Sequence, residues 1–493
     1  MRPLLVVAVA VVTSSCMVGP NYVKPTAPVP GSFKEVPPPD FKEAPGWTRG
    51  TPLDDMHRGR WWELFGDPAL NALEEQIDAS NQTLAAEEAS YRQARAAIRV
   101  ARSGLYPTLS GGTSVLGSGT SGSLGRGSAA QSALLTVPTA TATWVPDLFG
   151  GVRRSIEANV DTAQAVAGDV ESTRLLLESE LALDYFQLHG LDAQRQLLLD
   201  TVQAYQKALD LTVNRYNQGV ASQVDVAQAQ TQLAQTQAEA TDTLVVRQDL
   251  EHAIAILLGR PPSEFSIPAA PIQVGPPAIP GLFPSELLER RPDIAASERR
   301  VAAANAQIGV AISAYYPSLS LGAGGGLESS SLLSLFTWPS RFWSLGPSFS
   351  ELFFDAGRRR GITEEAQAAY DVTVANYRQT VLTAFQNVED NLSALRALEQ
   401  ESVEQAQAVN YADRSLTLAN AQYQGGITTY LQVITAQEIA LSNQVTQVAL
   451  KTRRMTASVS LIQALGGGWD SSQLPTRQEV MPQKVQKVSS GTR

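Results

Sequence analysis

From Gly151 to Asn217 the chain runs 67 residues without a proline. Apolar residues mark one seam: Ile156, Val160, Ala163, Ala167, Val170, then Leu177, Leu181, Leu188, Leu191, Leu198, Val202, Tyr205 and Leu209. Their steps of three, four and seven give the 3.5-residue period of a coiled coil, interrupted by Arg174, Asp184 and Arg195. At ~1.5 Å per residue such a helix is about 100 Å long, more than twice the width of an ordinary domain. No single globule contains it, so the chain is built along a rod.

The rod is written twice. Leu105-Tyr106-Pro107-Thr108-Leu109-Ser110 returns as Tyr315-Tyr316-Pro317-Ser318-Leu319-Ser320. Gly151-Val152-Arg153-Arg154 returns as Gly357-Arg358-Arg359-Arg360, and Tyr216-Asn217-Gln218-Gly219-Val220 as Tyr423-Gln424-Gly425-Gly426-Ile427. Leu258-Gly259 returns as Leu465-Gly466. Four ordered landmarks at a nearly constant offset define a tandem duplication. Repeat one spans 68–260: a helix, a β-hairpin at 105–150, the long helix at 151–217 and a return helix at 223–258. A Pro-rich linker, 261–283, follows. Repeat two spans 284–467: a helix, a hairpin at 315–356, a long helix at 357–424 and a return helix at 429–465. A tail, 468–493, completes the chain.

Local signals assign the elements. Pro68 to Gly104 reads as one helix, with Asp67 as N-cap and proline at its first position. Thr108–Gly127 and Ser132–Phe149 read as strands, the second with Leu135, Val137, Thr139, Thr141, Thr143 and Val145 on one face. The first is rich in Gly and Ser and alone would read as a linker; its counterpart after Tyr316-Pro317 makes it a strand. Each return helix is half as long as its partner. Each should therefore climb to the middle of the rod, where the shorter helix of the other repeat resumes toward the strands.

The opening residues set the compartment. Arg2 precedes an apolar stretch from Leu4 to Val12, too short to cross a bilayer but right for a signal h-region. It runs into Thr13-Ser14-Ser15-Cys16, which looks like a bacterial lipobox with Thr13 where Leu or Val is usual. Residues 1–15 read as a signal peptide and Cys16, the sole cysteine, as the lipid attachment site of an extended segment, 16–67. An ordinary signal with an incidental thiol is the alternative. No aspartate follows Cys16, so the outer membrane is the expected destination.

Four strands poor in charge cannot bury both faces, and their edges need closing. Tyr106, Trp144, Phe149, Tyr315, Tyr316, Trp338, Phe342, Trp343, Phe353 and Phe354 cluster where strands begin or end, as girdles of an outer-membrane barrel do. Only closed barrels or helices satisfy every backbone group in lipid, so several chains must share one barrel. Arg153, Arg154, Arg358, Arg359 and Arg360 follow the last strand of each repeat, where they would meet inner-leaflet phosphates. A soluble β-structure capping a coiled coil is the plainer reading.

Other chemistry is not supported. A net charge of −10 argues against a nucleic-acid binder. One cysteine and three scattered histidines, His57, His189 and His252, supply no metal cluster, and no cofactor motif occurs. Gly117-Ser118-Gly119-Thr120-Ser121-Gly122 fits GxGxxG, but no helix follows it. An enzyme is not expected.

Cys16-Met17-Val18-Gly19-Pro20-Asn21-Tyr22, Trp61-Trp62 with Phe65-Gly66-Asp67-Pro68, and Arg291-Pro292-Asp293-Ile294 carry a family resemblance. Tyr316-Pro317, Phe354-Asp355-Ala356-Gly357 and the two tip turns add to it. The chain resembles the TolC/OprM-like outer membrane factors, in particular the NodT-type lipoproteins of resistance-nodulation-division efflux systems. The resemblance implies a homotrimer: a 12-strand transmembrane β-barrel continued by a 12-helix periplasmic α-barrel, anchored in outer-membrane lipid. It implies tip turns (Gly219, Val220, Gly425, Gly426, Ile427) that meet a periplasmic adaptor carrying an inner-membrane pump. It also implies a periplasmic gate. One family pattern puts aspartates shortly after the last tip turn, where this chain has Gln432 and Thr435; the other falls on Val409 and Asp413, with Asp225 as a further acidic candidate. The implied function is a passive exit duct for small toxic compounds; a protein-secretion channel and a soluble periplasmic scaffold are the alternatives.

Overall fold

The structure is a computed structural model that describes residues 17–35, 59–119, 131–277, 288–331 and 333–481. The signal peptide, Cys16, residues 36–58, the first hairpin's loop and the distal tail lie outside the described residues. The elements of the described residues follow in order: α1 (Pro68–Ser80), α2 (Gln82–Ser103), β1 (Thr108–Gly119), β2 (Gln131–Trp144), α3 (Gly151–Asn217), α4 (Gln223–Leu257), α5 (Pro292–Ser313), β3 (Ser318–Ser329), β4 (Arg341–Ser350) and α6 (Arg358–Gln424). Then come α7 (Tyr430–Ala464) and a final turn of helix, α8 (Arg477–Val480). The two repeats match element by element: α3 and α6 have 67 residues each, α4 and α7 have 35, and α2 and α5 have 22.

The helix expected over Pro68–Gly104 is two helices. Asn81 breaks it in an extended conformation (φ −69°, ψ 124°), and its Oδ1 caps α2 by accepting from Leu84 N at 3.0 Å. The reason for the break lies across the fold. Asn81 Nδ2 donates to Leu257 O and Ser80 Oγ to Leu258 O, both at 2.8 Å, satisfying carbonyls at the end of α4. In repeat two, Arg291 beside the first turn of α5 donates to Ala464 O at 2.8 Å, at the end of α7. Half-length helices therefore meet end on, α4 with α2 and α7 with α5. The expectation that each would continue into the other repeat's helix is incorrect: the chain passes to the next repeat, but each joint in space is made within one repeat.

The core is thickest at these joints. Trp61, Trp62 and Phe65 wedge against Leu177, Leu181 and Phe186 of α3, Ile254 and Leu257 of α4, and Met455, Val459 and Ile462 of α7. A second cluster seats Phe33 of the N-terminal arm among Ile294, Val301, Val381, Phe385 and Leu461. Two glycines let the long helix approach its neighbours: a methyl at Gly168 would lie 3.0 Å from Ala296 Cβ, and one at Gly190 would overlap Thr452. The linker lies outside this core as a strap. Arg247 bridges Asp192 (2.7 Å) and Ile267 O (2.7 Å), while His189 meets Ala270 O at 2.6 Å. Burial opposes the Asp192 carboxylate, but hydrogen bonds from His189, Arg247 and Ala270 outweigh it and hold it below the usual range.

The equator also contains two buried acids. Glu178 accepts from Trp61 Nε1 at 3.0 Å, and burial pushes it up to about 8. Glu74 is raised well above its ordinary value by burial and then by the nearby Glu178, and both its oxygens lack a protein partner. A carboxyl group raised in the fold binds its proton more tightly there than in the unfolded chain. Between roughly pH 4.5, the unfolded value, and the raised folded values, stability therefore falls as pH rises. Glu74→Gln is expected to raise the thermal midpoint in detergent, by about 2–4 °C per kcal/mol of penalty relieved, more at pH 8.5 than at pH 5. Equal effects at both pH values would show that Glu74 ionises as freely in the fold as in the unfolded chain.

Candidate functional site at the strand end and the helical tip

The four strands form one antiparallel sheet in the order β1-β2-β3-β4. Register fixes its two faces. Leu109 pairs with Ala142, Trp144 with Leu321, Ala323 with Leu345, Leu321 with Pro347 and Leu319 with Phe349. These residues share one apolar face, on which Trp343, Leu345 and Phe349 are exposed. The opposite face pairs Ser110 with Thr141, Thr143 with Gly322, Gly324 with Ser344 and Ser320 with Ser348. It is almost wholly Ser, Thr and Gly. The threonine row read from the sequence thus lies on the polar face, with Ala140, Ala142 and Trp144 opposite. A register shift between Thr136 and Thr139, where Pro138 lacks an N–H, separates that row from Leu135. Apolar outside and polar inside, over strands of 10 to 14 residues, is the pattern of a lipid-spanning barrel wall. The outer strands β1 and β4 each keep one unpaired edge within this chain.

The basic residues at the strand–helix corners divide by role. Arg153 Nε meets Asp147 at 3.1 Å and Arg359 Nε meets Asp355 at 2.7 Å, an equivalent pin in each repeat. Hydrogen bonds from the Arg359 side chain and backbone hold Asp355 below the usual carboxylate range. Arg154 is buried, its guanidinium spent on Val18 O, Gly19 O, Asn21 and Glu157, so it does not face lipid phosphate as expected. Arg358 is exposed, and so is Arg360, which pairs with Glu364 at 2.8 Å. Of the five arginines, these two are the ones displayed at the surface.

At the far end each long helix turns through a left-handed glycine, Gly219 (φ +76°) and Gly426 (φ +73°). The same pair of hydrogen bonds closes both turns: Gly219 N to Tyr216 O and Val220 N to Arg215 O, then Gly426 N to Tyr423 O and Ile427 N to Gln422 O. Gly425 stays right-handed at the end of α6. Val220 and Ile427 stand out into solvent, 64% and 79% exposed. Asp225 closes a capping box with Ser222 on α4. Asp413 accepts from Gln444 of α7 at 2.8 Å, one turn beyond the buried Val409. One contact was not visible in the sequence: Arg215 of α3 donates to Gln424 O at 3.2 Å and lies over the Tyr423 ring at 4.7 Å, tying the two hairpin tips together. Its repeat-two equivalent is Gln422, so the duplication carried no signal for it.

A two-faced β-sheet mounted on two helices of 67 residues, each about 100 Å long, defines the subunit of an outer-membrane channel. The chain matches the family described as outer membrane efflux protein over residues 73–260 and 283–467. It is 30% identical to outer membrane protein OprJ of Pseudomonas aeruginosa over 94% of this chain and 95% of that one. It is also 30% identical to the toluene efflux pump outer membrane protein TtgC of Pseudomonas putida, over 95% and 96%. The solved outer-membrane channel OprN superposes with a TM-score of 0.81 at 29% identity, covering 92% of this chain and all of that one. The chain belongs to the outer membrane efflux protein family. It is the outer-membrane channel component of an efflux system and extends from that membrane into the periplasm.

The face assignment makes a direct prediction. Leu345→Arg places a charge on the lipid face mid-strand and is expected to cost about 2–4 kcal/mol, lowering the yield of heat-modifiable, membrane-inserted protein. Ser344→Arg, its neighbour on the polar face, should insert normally. Equal loss in both variants would reverse or erase the assignment.

Proposed function

We propose that three copies join edge to edge to form a 12-strand barrel and a 12-helix tunnel through which small toxic compounds leave the cell. The open edges of β1 and β4 carry this reading, because lipid leaves no other partner for their backbone groups. The helices support it. α3 is flanked by α2 and α4 on one side and by α5 and α7 on the other, whereas α6, among the described helices, packs chiefly on α5 and α7. The free flank of α6 and that of α2 and α4 complement each other head to tail, the geometry that closes a ring. The straps identify the inner wall. On α6, Arg378, Phe385, Glu389 and Arg396 touch the N-terminal arm. Asn387 and Asn391 lie about 200° away from Phe385 and Glu389 at 100° per residue. With Ser172, Ser460 and Gln463 they line a polar recess on the side away from the straps.

The tip turns, with Val220 and Ile427 exposed, suit docking on a periplasmic adaptor that carries an inner-membrane pump of the resistance-nodulation-division type. TtgC is described as part of a toluene efflux pump, and apolar toxicants of that kind are the cargo class proposed here. Asp413, tied to Gln444, and Arg215, tied to Tyr423 and Gln424, restrain the tip; Val409 packs beneath Asp413, and Asp225 holds the second tip helix at its start. Cys16 carries the lipid anchor.

Sedimentation of the detergent-purified protein should give three copies per particle, and a planar bilayer should show an ohmic pore. A monomer without conductance overturns the duct. In the same bilayer, Asp413→Ala is expected to raise single-channel conductance and weaken cation preference. No change in either would remove Asp413 from the gate.

A further inference from the structure

A duct has no evident need for a buried arginine at the head of α3, yet the Arg154 side chain is 1% exposed. All three nitrogens of its fork donate. Nε donates to Val18 O at 3.0 Å, Nη2 to Gly19 O at 3.1 Å and Asn21 Oδ1 at 3.2 Å, and Nη1 to Glu157 Oε2 at 2.8 Å. The arm is close-fitted there. Gly19 (φ +92°) lies against Gly309 so tightly that a methyl would sit 2.5 Å from its Cα, and a methyl on Gly309 would meet Arg154 at 2.8 Å. Val18 N also donates to Phe149 O at 3.1 Å, joining the arm to the corner where Phe149 stacks on Tyr316.

The other end of the chain reaches the same place. Arg477 of α8 donates to both oxygens of Asp161, at 3.0 and 3.1 Å, and faces the second oxygen of Glu157 at 3.5 Å. Val480 is buried with Ile98, Val160 and Ala163, and Arg95 holds its carbonyl. Asp161 is fully buried and also faces Arg299 at 3.8 Å. Arg299 in turn pairs with Glu298, whose other oxygen accepts the Tyr22 hydroxyl. The contacts thus begin at Asn21 of the arm, pass through the C-terminal tail and return to the arm at Tyr22. Three cations (Arg154, Arg299, Arg477) and three carboxylates (Glu157, Asp161, Glu298) balance. Removing one member strands buried charge on its neighbours, the costly case for ions out of water.

We propose that Arg154, Glu157, Asp161, Arg299 and Arg477 form a clasp through which the C-terminal tail fixes the seating of the N-terminal arm at the membrane-proximal head of α3. The two chain ends then dock and release together. Losing Arg477 leaves Asp161 with Arg299 alone, which is drawn from Glu298 and so from Tyr22. It also frees half of Glu157 to pull Arg154 away from the arm carbonyls. Residues that share partners in this way are the ones whose substitutions fail to add.

Hydrogen–deuterium exchange on the full-length protein in detergent tests the clasp, following peptides over 17–24 and 472–481. Arg477→Gln should accelerate exchange at least fivefold in both segments, with Arg477→Lys, which keeps the charge but not the fork, intermediate. From the opposite end, Asn21→Ala should accelerate exchange in the tail; it spares the buried arginine and so the fold. Wild-type rates in 17–24 for Arg477→Gln, whether or not the tail loosens, overturn the proposal. So does an unchanged tail in Asn21→Ala.

Discussion

The unsatisfied carbonyls at the ends of α4 and α7 decide the middle of the molecule. A helix of 35 residues covers only part of one of 67, so each tunnel wall must be completed by a second helix starting where the first stops. Two helix ends meeting in the interior expose carbonyls on one side and N–H groups on the other, and buried polar groups left unpaired are costly. The repeats solve this with different chemistry. Asn81 is both N-cap of α2 and donor to the end of α4, while Arg291 spans Asp293 and the end of α7. The aromatic wedge, the linker strap and the buried acids gather near these joints.

Above the joints, the strands and their corners serve a change of solvent. One face of the strands reads as threonine, serine and glycine and the other as leucine, tryptophan and phenylalanine. A sheet with one face in lipid and one in water needs that alternation. The corners below it carry an acid–arginine pin in each repeat, which fixes the angle at which a strand becomes a helix. Arg153 with Asp147 and Arg359 with Asp355 serve geometry first, and Arg358 and Arg360 are the two left exposed.

The sequence made the fold class legible because its periodicities are long. A 3.5-residue seam sustained over 67 residues admits no globular alternative, and the duplication turned a Gly/Ser run into a strand by giving it a partner. Short-range signals were misleading where tertiary partners override them. Nothing local marks Asn81 as a break, since its reason is Leu257, about 176 positions away. Arg154 looked like its exposed neighbours because pattern alone cannot tell an arginine facing lipid from one buried under the chain's own N-terminus. Arg215 was invisible for a related reason: it joins two tips that are adjacent in space but lie in different repeats.

The distribution of core explains where this molecule can move. Trp61, Phe186, Ile254 and Met455 lock four segments at the equator, and the two terminal straps cover the half nearest the membrane. Toward the tip the buried cluster shrinks to Ala229, Tyr423, Tyr430, Val433 and Ile434, with Leu209 and Ala419 beside it. There the hairpins are held by single polar contacts such as Asp413 with Gln444 and Arg215 with Gln424. Regions with few buried apolar contacts open at the lowest free energy. The chain therefore concentrates its rigidity at the middle and upper thirds. At the tip, a small cluster and a few polar contacts hold the hairpins together.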